Sequence, residues 1–480
     1  MQKVKNLKKT KIIATLGPAI SDIQTLKELI ENGVDVFRVN FSHAEYKDVK
    51  EKVTIIRSLS KELNKNISIL GDLQGPKLRI GKVLDEGIKL NPGDVLTFTN
   101  SNENLGEKEV YMTYKNFPND VKEGATILID DGKLSFKVIS TNKIDKVTAQ
   151  SINGGILFSK KGVNLPNTVV SLPALTVKDK EDVLYCIALG LDWIALSFVR
   201  NAKDIIELRE YIAQHSKNAI PIIAKIEKPE ALECIDEIIA HSNGIMVARG
   251  DLGVEIPMEE VPLVQKQLVQ KAKSAAIPVI IATQMMESMI VNSVPTRAEV
   301  NDVANSIIDG ADAVMLSGET SVGKNPVEVI KTIKRIIVNI EDNPTITVPS
   351  HVLELTNDDR FITDIICQNA AQLVSLTNSA AIITLSHSGY TAYQISSYRP
   401  LAHILVFTSN KLILNQLSLV WGVYAFLYEE KKSTDDTIIE VNEIAKQKGF
   451  IKANDYVINL NATPVSEEGK TNTLRVSLVY

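Results

Sequence analysis

The chain has 480 residues, of which 44% are hydrophobic and 23% charged, and its formal net charge is −5. This composition excludes a disordered or fibrous protein, the length predicts about three domains, and the acidic balance argues against a general nucleic-acid binder. The three cysteines lie far apart without metal-type spacing, which indicates reduced thiols. The basic N-terminal stretch lacks the apolar segment of a secretory signal, and no run is long enough to cross a bilayer. We therefore expect a cytoplasmic protein that binds neither membranes nor nucleic acid.

Short apolar runs rich in Val and Ile recur along the chain, and a helical pattern follows each of them. The runs are Lys11–Thr15, Asp35–Asn40, Ile67–Asp72, Trp193–Ser197, Pro221–Glu227, Gly244–Ala248, Pro278–Thr283 and Ala313–Ser317. Continuous apolar runs are typical of parallel strands that are buried on both faces. About eight such units predict an α/β fold with a closed (β/α)8 TIM barrel, because an open sheet of that width is unusual.

Two further regions lie within or after this series of alternating strands and helices. Residues 74–170 carry alternating short segments separated by Gly, Asn and Asp, which predicts an inserted small β-barrel lid domain of antiparallel strands. The catalytic barrel then comprises residues 1–73 and 171–345. Residues 346–480 return to apolar runs between helices and predict a C-terminal α/β domain with a mostly parallel sheet.

Polar residues cluster where the predicted barrel strands end. All strands of a barrel share one rim at their carboxyl ends, and this rim is where barrel enzymes carry their chemistry. The residues concerned are Arg38, Asn40, Ser42, Asp72, Ser197, Lys225, Glu227, Asp251, Thr283, Ser317 and Glu319.

The strongest local signal at this rim is Lys225-Ile226-Glu227 followed by Asp251 from the next unit. Two carboxylates without a nearby His or Cys suit Mg²⁺ or Mn²⁺, and the adjacent lysine suits stabilisation of an enolate or of a transferring phosphoryl group. A structural salt bridge among the three residues is the alternative. Three such groups converging on strand ends favour the metal site.

Two weaker clusters flank that site. Arg38 begins the segment RVNFSH, and its guanidinium is a natural partner for phosphate, although a rim ion pair explains it equally well. Gly250 and Gly253 surround Asp251, so that backbone N–H groups could approach an anion beside Thr283.

Residues 318–325, GETSVGKN, nearly match a phosphate-binding P-loop. The match fails at Asn325, where a Ser or Thr hydroxyl should bind Mg²⁺. Asn325 and Pro326 are instead explained as the start of a helix.

With these clusters in place, the chain resembles the pyruvate kinases over essentially its whole length. The resemblance is carried by TKIIATLGP (10–18), RVNFSH (38–43), KKGVNLP (160–166), MVARGDLGVEIP (246–257), ATQMMES (282–288), PTRA (295–298) and LSGET (316–320). It implies a Mg²⁺-dependent glycolytic enzyme that transfers the phosphoryl group of phosphoenolpyruvate to ADP, giving pyruvate and ATP. It also implies a homotetramer.

The resemblance further implies a role for individual residues. Glu227 and Asp251 would hold the metal, Lys225 would stabilise the phosphoryl group and the enolate, and Arg38 would bind the phosphate. Thr283 with the backbone of Gly250 and Asp251 would hold the pyruvate carboxylate. Thr283, Ser317 and Glu319 would help to relay a proton through water to the enolate, and the sequence leaves the proton donor itself open. The nucleotide would contact Asn40, Ser42, His43, Arg79 and Lys161.

One departure from the family pattern concerns potassium. Many members bind K⁺ at positions matching Asn40, Ser42, Asp72 and the backbone of Leu73, and carry a glutamate where this chain has Lys77. The lysine ammonium could supply the missing charge, so we expect that K⁺ is not required. A solvent-exposed Lys77 without such a role is the alternative.

A second departure concerns regulation. The resemblance marks Ser386, His387, Ser388, Gly389 and Thr391 as a candidate effector loop for a sugar phosphate. The opposing segment offers Glu467 and Glu468, which disfavours fructose 1,6-bisphosphate and leaves a monophosphate or no effector. Two alternative functions stay open at this stage, a Mg²⁺-dependent barrel lyase or aldolase and a non-catalytic phosphosugar sensor.

Overall fold

The computed structural model describes residues 7–103, 105–106, 108–166, 168–343, 345–346, 348–349, 359–429, 434–463 and 470–480. Its first elements alternate strand and helix: β1 (Lys11–Thr15), α1 (Ile23–Asn32), β2 (Val36–Asn40), α2 (Tyr46–Glu62) and β3 (Ser68–Asp72). The strands are buried along nearly their whole length, as their continuous apolar sequence requires. Helix α1 begins after Asp22, whose side chain accepts the Thr25 N–H at 2.8 Å.

The chain then leaves the barrel and forms the lid. Its elements are β4 (Ile88–Leu90), β5 (Val95–Thr99), β6 (Glu109–Tyr111), α3 (Phe117–Asp120), β7 (Thr126–Ile129), β8 (Leu134–Thr141), β9 (Lys146–Ser151), β10 (Gly155–Leu157) and β11 (Val163–Asn164). Six strands form one sheet in the order β11-β7-β8-β9-β5-β6, and β10 pairs with β4. Bridges from Arg79 to Gly162 and from Ile80 to Met112 connect the two edges of the larger sheet. The predicted small β domain is confirmed.

One strand pair in the lid differs from the prediction. We expected antiparallel strands throughout, but β5 and β6 run parallel, with Thr97 opposite Glu109. The alternation of inward and outward side chains has a period of two residues in either orientation. The sequence pattern therefore does not distinguish the two directions.

The barrel resumes after the lid with α4 (Val177–Leu189) and β12 (Trp193–Leu196). It continues through α5 (Ala202–His215), β13 (Ile222–Ile226), α6 (Pro229–Glu233), α7 (Ile235–His241), β14 (Gly244–Ala248), α8 (Arg249–Glu255), α9 (Val261–Ser274), β15 (Val279–Ala282), α10 (Arg297–Asp309), β16 (Ala313–Leu316), α11 (Gly318–Ser321) and α12 (Pro326–Glu341). Short 3-10 turns occupy Pro18–Ile20, Met258–Glu260 and Glu287–Ile290.

The eight strands close into a parallel barrel in the order β1-β16-β15-β14-β13-β12-β3-β2. This confirms the predicted (β/α)8 fold. The register places Asp72 level with both Asn40 and Ala195, and Lys225 level with Met246. The polar residues that end each strand therefore face one another across the same rim.

The C-terminal domain contains α13 (Phe361–Thr377), β17 (Ala381–Leu385), α14 (Tyr390–Ser397), β18 (His403–Thr408), α15 (Lys411–Gln416), a 3-10 turn (Leu417–Leu419), β19 (Val423–Leu427), α16 (Thr434–Gln447), β20 (Tyr456–Asn461) and β21 (Thr473–Leu478). Its sheet has the order β19-β18-β17-β20-β21, and only β21 runs antiparallel within the described residues. The predicted mostly parallel sheet is confirmed.

Apolar side chains fill the barrel interior and seal its lower end. Ile13, Trp193, Met246 and Ile280 belong to this interior cluster, and Leu419 joins it from the C-terminal domain. The polar rim lies at the opposite end, where the strands end in polar residues. No helix in the described ranges is both long and apolar enough to span a membrane.

Candidate active site at the barrel rim

Lys225 is the centre of the rim. It lies one residue before the end of β13, it is only 9% exposed, and its Nζ donates a hydrogen bond to Ser197 Oγ at 2.7 Å. Nζ also lies 2.9 Å from Glu227 Oε1 and 3.2 Å from Asp72 Oδ1. Burial disfavours the ammonium, but the two carboxylates outweigh burial and raise the pKa of Lys225 above its ordinary value. Lys225 therefore stays positively charged in the folded protein.

Arg38 and Asp72 form a second buried pair beside Lys225. Arg38 Nε donates to Asp72 Oδ2 at 2.6 Å, and Nη1 donates to Thr15 Oγ at 3.1 Å. Burial alone would raise the pKa of Asp72, but the charges of Lys225 and Arg38 lower it below its ordinary value. Asp72 thus holds two cations next to each other at the rim, where each is available to an anionic ligand.

Glu227 and Asp251 are the two carboxylates that were predicted to bind a metal. Glu227 is 1% exposed, and its Oε2 accepts the Phe198 N–H at 2.7 Å. Burial raises the pKa of Glu227; the charge of Lys225 opposes this effect and that of Asp251 adds to it.

The donor set at these carboxylates fits a hard divalent cation. Oε1 of Glu227 is buried and forms an ion pair with Lys225, but it accepts no hydrogen bond among the described residues. It therefore keeps lone pairs that can bind a further cation. Among the described residues no three His, Cys, Asp or Glu side chains converge into a ready-made metal cage. Two carboxylates with room for water and substrate oxygens match the coordination that Mg²⁺ prefers.

Thr283 lies in a strained turn after β15. Its φ is +72° and that of Gln284 is +55°, a conformation that non-glycine residues adopt only when their surroundings enforce it. Arg249 supplies part of that enforcement, because its Nη2 donates to Thr283 O at 2.7 Å while both Nη atoms contact Asp302 at 2.7 Å. Thr283 Oγ in turn accepts the Gly250 N–H at 2.7 Å.

Glu319 lies nearby at the start of α11. Its carboxylate accepts N–H groups from Met286 at 3.1 Å and from Ser317 at 2.7 Å. Burial raises the pKa of Glu319, which brings its proton affinity closer to neutral pH.

The predicted nucleotide-contacting residues divide between rim and lid. At the rim, Asn40 Oδ1 accepts the Ser42 N–H at 3.2 Å, and His43 is exposed. Partial burial and the charges of Arg79, Lys77 and Arg38 lower the pKa of His43, so it is neutral at pH 7.

On the lid, the predicted nucleotide contacts are bonded to the lid itself. Arg79 Nη1 donates to Lys160 O at 3.0 Å, and Lys161 Nζ lies 2.9 Å from Asp130 Oδ1. The structure therefore does not bring the side chains of Arg79 and Lys161 into contact with the buried charged residues around Lys225.

The positions compared with a potassium site lie at the carboxyl ends of β2 and β3. Leu73 O accepts a hydrogen bond from Ser197 Oγ at 2.6 Å, and Ser197 in turn accepts from Lys225. Lys77 is exposed and lines the cleft between lid and rim, where Asn164 and Asp251 also lie. Within the described part of the chain, no ion pair involves the Lys77 ammonium.

The resemblance to a P-loop has no structural counterpart. Residues 318–321 form the short helix α11, and α12 begins at Pro326 directly after Asn325. A Cβ at Gly323 would lie 2.2 Å from Glu319 O, so this glycine serves a close backbone contact.

The candidate effector loop joins β17 to α14. Gly389 N–H donates to Ser386 Oγ at 3.0 Å, His387 O accepts from Asn410 Nδ2 at 3.0 Å, and Ser388 is exposed. Thr391 Oγ lies 3.1 Å from Thr471 Oγ. The acidic pair of the opposing segment, Glu467 and Glu468, lies outside the described residues.

The sequence analysis assigned no role to two residues that make important contacts in the structure. Ser197 joins Lys225 to the lid linker at Leu73, and Arg249 with Asp302 holds the turn of Thr283. Ser197 was identified only as one strand-end polar residue among many, and Arg249 only as a neighbour of Gly250. Their partners are distant in sequence, so no local pattern assigns the contacts.

Known proteins resemble the chain throughout. Residues 7–330 match the family model described as pyruvate kinase, barrel domain, and residues 364–477 match pyruvate kinase, alpha/beta domain. A pyruvate kinase from Geobacillus stearothermophilus is 42% identical over 98% of this chain and 80% of that protein. One from Corynebacterium glutamicum is 40% identical over 98% of both chains. The crystal structure of a pyruvate kinase from Cryptosporidium parvum superposes with a TM-score of 0.91 at 32% identity, covering 99% of this chain and 97% of that one.

Proposed function

Since the chain belongs to the pyruvate kinase family, we propose that its rim residues transfer the phosphoryl group of phosphoenolpyruvate to ADP with the help of Mg²⁺ and without K⁺. The chain is an enzyme of this family, which forms pyruvate and ATP. Family membership favours the kinase over a barrel lyase or a non-catalytic sensor.

The observation that carries the assignment of roles is the buried cluster around Lys225. Arg38 and Lys225 flank Asp72 within hydrogen-bonding or ion-pair distance, so two fixed positive charges converge where a phosphate would lie. Phosphoryl transfer is mostly positioning and charge neutralisation, which such a pair supplies without reorganisation. Arg38 binds the phosphate, and Lys225 stabilises the moving phosphoryl group and the enolate left behind.

Glu227 and Asp251 hold the divalent ion in this proposal. The buried Oε1 of Glu227, free of a conventional hydrogen bond, supports this assignment, and Mn²⁺ has the same preference for oxygen donors. The ion, when bound, neutralises charge that develops on the phosphoryl oxygens.

Thr283 and the start of α8 bind the carboxylate of phosphoenolpyruvate and pyruvate. The hydrogen bond from Gly250 N–H to Thr283 Oγ supports this role, since it places a backbone donor and a hydroxyl side by side; the bound carboxylate would replace Thr283 Oγ and the Ala282 carbonyl as their acceptors. The pair formed by Arg249 and Asp302 keeps the strained turn of Thr283 in place.

The enolate must then gain a proton. Thr283, Ser317 and Glu319 relay it through water in our proposal, and the pKa of Glu319, which burial raises above its ordinary value, supports a carboxyl group that takes part in this proton transfer.

The nucleotide binds between rim and lid. Asn40, Ser42 and a neutral His43 contact it from the rim, and Arg79 and Lys161 approach its phosphates when the lid closes. Their present partners, a backbone carbonyl and Asp130, are contacts that a polyphosphate can replace. Lid closure also excludes water from the transferring group.

Lys77 takes the place of a potassium ion in our proposal. Its ammonium lines the active-site cleft and helps to lower the pKa of His43, so its charge reaches the site. The Leu73 carbonyl, a family potassium ligand, accepts its hydrogen bond from Ser197 instead. Asn40, Ser42 and Asp72 would then act without an ion.

Beyond the catalytic rim, we retain three family-based expectations as part of the proposal. The enzyme is a cytoplasmic homotetramer. The loop of Ser386, His387, Ser388, Gly389 and Thr391 accepts a sugar monophosphate if it accepts an effector, and fructose 1,6-bisphosphate is disfavoured by Glu467 and Glu468.

The test is pyruvate formation from phosphoenolpyruvate and ADP, measured with Mg²⁺ and either K⁺ or tetramethylammonium, and repeated after chelation of divalent ions. We expect equal rates with the two monovalent cations and no activity after chelation. Activity only with K⁺ would contradict the role of Lys77 while leaving the kinase intact.

A substitution sharpens the potassium test. Lys77→Glu exchanges the ammonium for a carboxylate, so we expect its rate to fall about tenfold in tetramethylammonium, a cost of about 1.4 kcal/mol, and to recover with K⁺. Lys137→Glu is the matched control, because Lys137 is an exposed lysine of lid strand β8. It should show no dependence on K⁺.

A further inference from the structure

A side-chain hydrogen bond connects the body of the lid to a helix of the barrel. Asn164 of β11 donates from Nδ2 to Glu255 Oε1 in α8 at 2.9 Å. Between lid residues 77–166 and the barrel helices, it is the one side-chain hydrogen bond in the described parts of the chain; Tyr114 and Asn116 bond instead to Ser171, at the start of the segment that returns to the barrel. The other contacts, such as those from Arg200 to the carbonyls of Val170 and Leu172, hold the linker.

Glu255 is a buried charge with few partners. Its side chain is 1% exposed and pairs with Lys228 Nζ at 2.5 Å. Both Asn164 and Lys228 reach the same oxygen, whereas Oε2 is buried and has no hydrogen-bond partner among the described residues. Removing one hydrogen-bond donor from a buried carboxylate costs free energy, so Asn164 strongly influences the position of the Glu255 side chain.

Glu255 and Lys228 are close in the chain to the two carboxylates assigned to the metal. Glu255 is four residues from Asp251 on the short helix α8, so the two share a helix face, and Lys228 follows Glu227 in the chain. Asn164, Lys228 and Asp251 line one narrow cleft of about 40 Å³ between lid and rim. A displacement of Asn164 therefore affects Asp251 through Glu255 and affects Glu227 through Lys228.

We propose that Asn164 and Glu255 form a latch between the lid and α8 that sets the position of Asp251, so that Asn164 is a positioning residue for the divalent cation. This inference rests on the proposed metal role of Glu227 and Asp251. When the hydrogen bond between Asn164 and Glu255 is formed, α8 is held in place. When it is broken, α8 moves more freely, and the position of Asp251 relative to Glu227 is no longer fixed.

Two substitutions test the latch. Asn164→Ala removes the donor, and Asn164→Asp keeps the shape but turns a carboxylate towards Glu255. Asn153→Ala is the matched control, because Asn153 bonds only within the lid in the described structure, accepting from Ser135 N–H and donating to Lys133 O at 2.7 Å each.

The first measurement is amide hydrogen exchange of the full-length protein by mass spectrometry, without ligands. We expect the peptide covering residues 249–256 to exchange at least threefold faster in both Asn164 variants, with the aspartate faster than the alanine. In Asn153→Ala the increase should be confined to lid peptides around residues 133–153.

The second measurement is Mn²⁺ binding, followed by the electron paramagnetic resonance of the free ion. We expect about fivefold weaker binding in Asn164→Ala and wild-type binding in Asn153→Ala. Unchanged exchange of residues 249–256 with unchanged Mn²⁺ affinity, or a loss shared equally by Asn153→Ala, would overturn the latch. A wild-type protein that binds no Mn²⁺ and forms no pyruvate would instead overturn the proposed function, so the two failures are distinguishable.

Discussion

At the scale of single residues, the protein keeps charges buried by pairing them. Lys225 is nearly inaccessible, yet it remains protonated because Asp72 and Glu227 lie within 3.2 Å and 2.9 Å of its ammonium. An unpaired buried lysine would lose its proton instead. In the proposed mechanism the ammonium therefore acts by its position and charge, and its position depends in part on its hydrogen bond to Ser197.

The first prediction concerns Ser197→Ala. Ser197 is 1% exposed, and its hydroxyl accepts from Lys225 and donates to Leu73 O. Its loss removes a hydrogen bond from the ammonium, which keeps only its ion contacts to Asp72 and Glu227, and takes away the donor to the Leu73 carbonyl. We expect kcat/KM for phosphoenolpyruvate to fall at least tenfold, about 1.4 kcal/mol of transition-state stabilisation, in steady-state assays.

The control for this substitution is Ser418→Ala. Ser418 is also buried and its Oγ donates to the Asn66 carbonyl at 2.9 Å, but this contact lies away from the rim. Its kcat/KM should match wild type. An equal loss in both variants would show that Ser197 acts only through stability.

At the scale of elements, the barrel closes through a close backbone contact between the end of β1 and α11. A Cβ at Gly17 would lie 2.3 Å from Ser321 O, well inside van der Waals contact. Next to it, Thr15 and Thr320 exchange hydrogen bonds of 2.9 Å and 3.0 Å. Thr15 also accepts from Arg38, so this closure supports the arginine proposed to bind the phosphate.

The second prediction is therefore that Gly17→Ala destabilises the protein. Overpacking of this kind costs about 1–3 kcal/mol, and each kcal/mol lowers the melting temperature by roughly 2–4 °C. Gly106→Ala is the control, because the added Cβ would meet Glu109 at an ordinary 3.5 Å. Calorimetry should show a lower melting temperature for Gly17→Ala alone; equal melting temperatures would refute the argument.

At the scale of the whole molecule, the C-terminal domain closes the lower end of the barrel through buried polar contacts. Arg399 pairs with Asp312 at 2.7 Å, and Asp312 also accepts the Trp421 N–H at 3.0 Å. Lys11 of β1 donates to Val423 O at 2.7 Å and lies 4.7 Å from the Tyr424 ring centroid. Burial lowers the pKa of Lys11 to about 8.

The third prediction follows from that lowered pKa. Below about pH 8 Lys11 is protonated in both folded and unfolded chains, and the folded state carries the full cost of the buried charge. Between pH 8 and 10.5 the unfolded chain binds more protons, so folding stability rises with pH, by up to about 3 kcal/mol for this residue. Lys11→Met lacks this dependence.

The measurement is the melting temperature of both proteins from pH 7 to 10. We expect the wild type to gain stability relative to Lys11→Met as the pH rises through 8, whatever the difference at pH 7. A constant difference across this range would mean that the pKa of Lys11 is not lowered by folding.

Much of this protein could be predicted from the sequence, for identifiable reasons. The apolar run at Lys11–Thr15 is a barrel strand in the structure, since only strands buried on both faces need such continuous runs. The rim location of Lys225, Glu227 and Asp251 follows as well, because parallel strands bring all their carboxyl ends to one side.

The tertiary structure alone decided the contacts between residues far apart in sequence. Ser197 bridges Lys225 to Leu73, Arg38 pairs with Asp72, and Asn164 reaches Glu255, each across separations that no local periodicity encodes. The parallel pairing of β5 with β6 is of the same kind. Burial and strand pattern are local properties of a sequence, whereas the partner of a buried charge depends on how the closed barrel and its lid bring distant segments together.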